Sequence, residues 1–327
     1  MSVNLIRPEG PRPEDFKISR RLLGGLLFAG YATAAVSQSA EPVVTDADGL
    51  VTETVNLPAP DGFDLPAYVA RPEGEGPFPI VVVASEIFGV HAYIQDVCRR
   101  LAREGYAAIA PAFFVRVEDP APLSDMARVF EIVGAAGYEQ VMGDVSATLQ
   151  WLGGQIWADS ERVGITGFCW GGKVVWQAVA RFAAFDAGVA WYGRLAPEDG
   201  ATAGAPWPVD LAGDLKAPVL GLYGEDDRGI PVASVEAMRE ALTREGQTAS
   251  EIVLYTGAGH AFHADYRPSY QPKRRRTAGH ACWRTSRLTS RYQTLASSRA
   301  PGSCEPPPDP RAATTTMAGR TTRPNRA

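Results

Sequence analysis

Two rhythms alternate along the middle of the chain. Residues 51–57 alternate, with Val51, Val55 and Leu57 on one side, as in a strand with one covered face, and residues 65–70 read as a second strand. The turn-rich stretch 58–62 separates them, so they are predicted to pair as an antiparallel hairpin at a sheet edge. Residues 79–84 are instead a continuous, largely β-branched run, which suits a strand covered on both faces of a parallel sheet. Residues 92–105 switch to helical spacing, with Ile94, Val97, Cys98 and Leu101 on one face. Further strands are predicted at 106–111, 162–166, 187–192, 218–223 and 250–255, and further helices at 138–152, 172–181 and 231–245. This alternation predicts right-handed βαβ units in an α/β fold, a doubly wound and mostly parallel sheet with an antiparallel N-terminal edge. Active sites in such sheets form beyond the carboxyl ends of the strands.

Composition sets bounds on this picture. An apolar fraction of 45% over 327 residues can fill a large core. The body has no run of about 18 apolar residues, so no spanning helix is expected there. Cys98, Cys169, Cys282 and Cys304 are too widely spaced for a zinc site or a disulfide framework. The formal charge of -5 hides an asymmetry. Residues 271–327 hold 12 of the 32 basic residues and 2 of the 37 acidic ones, a net of +10, which leaves -15 on residues 1–270. A body that acidic is a poor surface for nucleic acid. Residues 1–40 carry Arg20-Arg21, a mildly apolar run from Leu22 to Val36 and then small residues. That pattern predicts a twin-arginine-like export signal and a periplasmic protein, with a cytoplasmic one as the alternative. The chain therefore divides into an export segment (1–40), a body (41–270) and a basic tail (271–327). At the start of the tail charge, composition and periodicity change together, and Pro306-Pro307-Pro308 lies within it. It reads as a disordered basic segment or as the product of a shifted reading frame.

Chemistry concentrates at three predicted strand ends. Gly167-Phe168-Cys169-Trp170-Gly171 falls between a predicted strand and a predicted helix. It has the form of a nucleophile elbow with cysteine in the serine position. A helix N-terminus there would favour a thiolate. On the motif alone, a buried structural cysteine in a glycine-rich turn explains it equally well. Asp226 and Asp227 follow the strand at 218–223, and His260 lies between glycine-bounded turns after 250–255. Nucleophile, acid, histidine is the chain order of a hydrolase triad, in which imidazole takes the nucleophile's proton and the carboxylate fixes the tautomer. After the strand at 79–84 come Glu86 and Ile87. The backbone N–H groups of Ile87 and Trp170 are the candidate oxyanion hole. Glu86 could hold the thiol neutral until substrate displaces it, or simply bridge at the strand end.

The motifs Glu86-Ile87-Phe88-Gly89-Val90, Gly167-Phe168-Cys169-Trp170-Gly171-Gly172, Gly224-Glu225-Asp226-Asp227 and Ala258-Gly259-His260-Ala261-Phe262 together resemble the dienelactone hydrolase family, over about residues 50–270. The resemblance implies an α/β-hydrolase fold and a Cys169–His260–Asp227 triad, the acid being the residue three after a glycine and four before Pro231. It places the family's thiol-contacting glutamate at Glu86. It implies metal-free and cofactor-free hydrolysis of an enol lactone, dienelactone to maleylacetate. One departure stands out: the family's substrate-holding arginine shortly after the histidine is replaced by Ala264, with Arg267 out of register. The expected activity is thus a cysteine-dependent hydrolase of a small ester or lactone. The alternatives are a non-catalytic small-ligand-binding relative and a protein that binds acidic partners through its tail. The expected partner is the small-molecule substrate, with no nucleic acid, no stable membrane association after export, and a monomeric state.

Overall fold

A computed structural model describes residues 43–197 and 206–271 of the chain. The predicted export segment and all of the tail after Gln271 lie outside the described residues. Strands β1 (Leu50–Pro58) and β2 (Asp64–Pro72) form the antiparallel edge hairpin that the alternating pattern predicted. Strand β2 pairs antiparallel with β4 (Ala107–Pro111). From β4 onward the sheet is parallel, through β3 (Phe78–Ala84), β5 (Ala158–Phe168), β6 (Ala187–Trp191), β7 (Val219–Gly224) and β8 (Glu251–Tyr255). The order across the eight strands is β1-β2-β4-β3-β5-β6-β7-β8.

The continuous run in β3 is central, and Ile80 to Ala84 are at most 2% exposed. Each such Val or Ile contributes about 1.5–3 kcal/mol of burial free energy. Helices α1 (Ala92–Arg103), α2 (Met126–Ala135), α3 (Tyr138–Gly153), α4 (Trp170–Arg181) and α5 (Val232–Arg244) connect the strands. The chain leaves β3 for β4 on one side and later enters β5 on the other. Where a doubly wound sheet switches direction in this way, a crevice opens at the strands' carboxyl ends. Here that point lies between β3 and β5, and Glu86, Ile87 and Cys169 follow those two strands.

Several elements differ from the sequence expectation. Helix α2 was not predicted. It is short, buries only Val129 and Ile132, and starts on Asp125, whose carboxylate accepts from the Ala127 N–H at 2.9 Å. A 3₁₀ helix at Pro208–Asp214 was also not predicted. Strand β5 begins before the predicted residue 162, because a polar stretch pairs with β3 ahead of a register shift between Pro79 and Ile80. In that stretch Asp159 accepts from the Glu161 N–H and from Arg162, which holds a locally irregular strand together.

Candidate active site

The elbow is a close approach of three backbones. Cys169 has φ 54° and ψ -115°, a left-handed conformation rare for a residue with a side chain. Its N–H donates to the Trp191 carbonyl at 3.0 Å, and its own carbonyl accepts from the Gly172 N–H at 3.0 Å. A Cβ on Gly171 would lie 2.2 Å from the Ala84 carbonyl oxygen, and one on Gly167 would lie 2.3 Å from that of Gly171. The glycines are therefore required for space, and the unusual φ falls on Cys169 itself. Strain held at a nucleophile needs surrounding structure to fix it, which the strand and helix on either side supply. Helix α4 starts at Trp170, earlier than predicted, so the cysteine stands at its N-cap.

The loops after β7 and β8 bring in the acid and the base. His260 Nδ1 donates to Asp227 Oδ2 at 2.7 Å. The other Asp227 oxygen accepts from the Gly229 N–H at 2.9 Å. Asp227 is 4% exposed, whereas Asp226 points to solvent, so the structure pairs Asp227 and not Asp226 with the histidine. Burial works against the charged imidazole, but the Asp227 carboxylate and the Cys169 sulfur outweigh it and raise the His260 pKa from 6.5 to about 10. Cys169 also acts on the ring as a hydrogen-bond partner. The three sequence candidates thus meet. The buried Tyr192 ring, at φ 39°, packs edge-on against His260 at 5.0 Å.

Glu86 is 1% exposed. Its Oε2 accepts from the Tyr266 hydroxyl at 2.6 Å and pairs with His91 Nε2 at 3.1 Å. Burial favours the neutral acid, but the His91 hydrogen bond, the Arg267 charge and the Tyr266 hydroxyl override it and hold the carboxyl near pKa 2. Its other oxygen, Oε1, is buried with no hydrogen-bond partner among the described residues. Neither His91 nor Tyr266 was predicted as a partner of Glu86. Tyr266 lies 180 residues away, and local periodicity carries no signal over that distance.

Ile87, Cys169 and Trp170 share one cavity of about 140 Å³, whose other walls are Phe130, Val133, Lys173, Arg194 and Trp207. Trp170 opens α4, and the first N–H groups of a helix have no partner inside it. Phe130 and Val133 come from the unpredicted α2, and Trp207 immediately precedes the unpredicted 3₁₀ helix. Among the described residues, no group of three or more His, Cys, Asp or Glu side chains could hold a metal ion, and no helix is long and apolar enough to cross a membrane.

The chain is similar to known proteins over most of its length. The model of the dienelactone hydrolase family matches residues 65–285. The match continues past residue 270, where the sequence reading placed the end of the resemblance. A protein of Methylorubrum extorquens designated a carboxymethylenebutenolidase is 48% identical over 257 residues, 78% of this chain and 87% of its own length. A protein of Escherichia coli K12 with the same designation is 45% identical over 244 residues, 74% of this chain and 89% of its own. The crystal structure of a protein assigned as a dienelactone hydrolase from Klebsiella pneumoniae superposes with a TM-score of 0.67 at 43% identity, covering 71% of this chain and 96% of that one. With its sheet order, its elbow and these matches, the chain belongs to the dienelactone hydrolase family and is an α/β-fold hydrolase of ester or lactone bonds.

Proposed function

We propose that the chain hydrolyses a small ester or lactone by nucleophilic catalysis at Cys169, with His260 and Asp227 as its proton-transfer pair. The observation that carries this reading is the hydrogen-bonded His260–Asp227 pair beside a buried cysteine at positive φ. A raised His260 pKa keeps a proton on the imidazole when the thiolate forms, so sulfur and ring exchange one proton between them. The thiolate attacks the carbonyl carbon. The carbonyl oxygen takes the electron pair and is received by the N–H groups of Ile87 and Trp170. Collapse expels the alkoxide, to which His260 gives its proton, and leaves a thioester. A water then attacks the thioester with His260 as base, and the acid and the thiol are released. Glu86, a buried carboxylate after β3, would disfavour the Cys169 thiolate until substrate displaces it. The lactone class suggested by the relatives' designation is the first substrate class to try.

The test is turnover of p-nitrophenyl acetate and of a panel of unsaturated lactones by the wild-type chain and by Cys169→Ala. Loss of a catalytic nucleophile costs roughly a millionfold in a well-studied serine enzyme, so the variant should be inactive within detection. Undiminished activity in it would remove the assignment.

A further inference from the structure

Two cavities on the α4 side of the site share one wall. Trp170, Lys173 and Trp207 line the cavity that holds Cys169, and the same three residues line a second one of about 310 Å³. The inner cavity, at about 140 Å³, has the space of roughly five waters at about 30 Å³ each. That is small for a complete ligand site, for which about 300–1,000 Å³ is usual. The outer one supplies the missing room. Its other lining residues include Gly134, Gly137, Tyr138 and Gln177. Lys173 lies between the two spaces, its ammonium 3.9 Å over the Trp207 ring. Arg194 also lines the inner cavity. In residues 1–270, with a formal charge of -15, two cations lining one apolar-walled site run against the chain's own charge balance. Burial, helped by Arg194, lowers the Lys173 pKa to about 8, so the ammonium is still largely charged near neutral pH.

We propose that the outer cavity is a second subsite, which takes the carboxylate end of an extended half-ester whose carbonyl lies at Cys169, with Lys173 as the cation that recognises it. The proposal rests on the hydrolase reading above. It also names a cavity that neither the triad nor Glu86 lines and that meets the oxyanion-hole residues only at Trp170. Two glycines allow the cavity to be filled without disturbing it. A Cβ on Gly134 or on Gly137 would meet nothing within 4 Å, and neither has a positive φ. A larger side chain there would occupy the subsite itself. At Gly134, inside α2, it would also remove a glycine that costs a helix interior about 1 kcal/mol relative to alanine.

The experiment is calorimetric titration of the full-length chain with adipate and with hexanoate, which match in length and differ by one carboxylate. Adipate should bind at least about tenfold more tightly, the effect of a single charge-assisted contact. In Lys173→Met the two acids should bind alike, and Lys173→Arg should keep most of the discrimination. Gly134→Met should weaken adipate by about tenfold and the shorter succinate far less. Equal binding of adipate and hexanoate by the wild type, discrimination that survives in Lys173→Met, or equal losses of adipate and succinate in Gly134→Met would each overturn the proposal. The glycine variant keeps the test decisive if Lys173→Met does not fold. Adipate selectivity in a chain that turns over no p-nitrophenyl ester would sink the hydrolase reading and leave the subsite standing. Ester turnover without selectivity would sink the subsite alone.

Discussion

Glu86 is a charge stored where water cannot reach it. An isolated carboxylate there would pick up a proton. His91, Arg267 and Tyr266 prevent that and depress its pKa from 4.5 to about 2. A carboxyl with a depressed folded pKa contributes stability that is fully present above its unfolded value of 4.5 and is lost as pH falls through about 2. Glu86→Gln should therefore flatten the loss of stability in acid, measured as the fall in melting temperature between about pH 5 and pH 2. If Glu86 also restrains the thiol, the same variant should raise the rate at which iodoacetamide labels Cys169. Cys98 serves as an internal control, because it is fully buried and burial pushes its pKa up strongly. A labelling rate that ignores Glu86 would leave it a purely structural carboxylate.

At the scale of elements, the elbow depends on how closely β3, β5 and α4 approach one another. Gly171→Ala would bring a methyl group to 2.2 Å from the Ala84 carbonyl oxygen, a backbone atom that cannot rotate away. Overpacking of this kind costs about 1–3 kcal/mol, and the strand–helix junction that sets the Cys169 sulfur would shift. A lower melting temperature together with a large fall in ester turnover is the expected result. Full activity in Gly171→Ala would mean that the elbow tolerates what its geometry forbids. This junction was legible in the sequence because every requirement on it is local. A β-branched run, two glycines flanking Cys169 and a helical apolar face follow each other within about twenty residues. The order Cys169, Asp227, His260 was legible for the same reason, since each residue follows a strand with a clear pattern. The walls of the cavity were not. Helix α2 buries two residues and ends near Gly134, too weak a periodicity to stand out, yet it supplies Phe130 and Val133. Lys173 looks like one polar position on an apolar helix until Trp207 is placed against it. Of the partners of Glu86, His91 lies five residues away, whereas Tyr266, 180 residues away, is brought in by tertiary contact alone.

At the scale of the whole molecule, charge divides the chain into an acidic body and a basic tail. We propose that residues 1–40 direct export by the twin-arginine route. Replacing both Arg20 and Arg21 with lysine should leave uncleaved precursor in the cytoplasm on cell fractionation, and unchanged export of that variant would reject the route. In the proposed mechanism one sulfur, placed by the fold, carries the acyl group. The most direct measurement is to mix the full-length chain with a slowly hydrolysed activated ester, quench in acid, and map the acylated peptide by mass spectrometry. One acyl group per chain is expected, on Cys169, and none on the Cys169→Ala chain. An acyl group that maps to another residue, or that forms equally on Cys169→Ala, would contradict the mechanism.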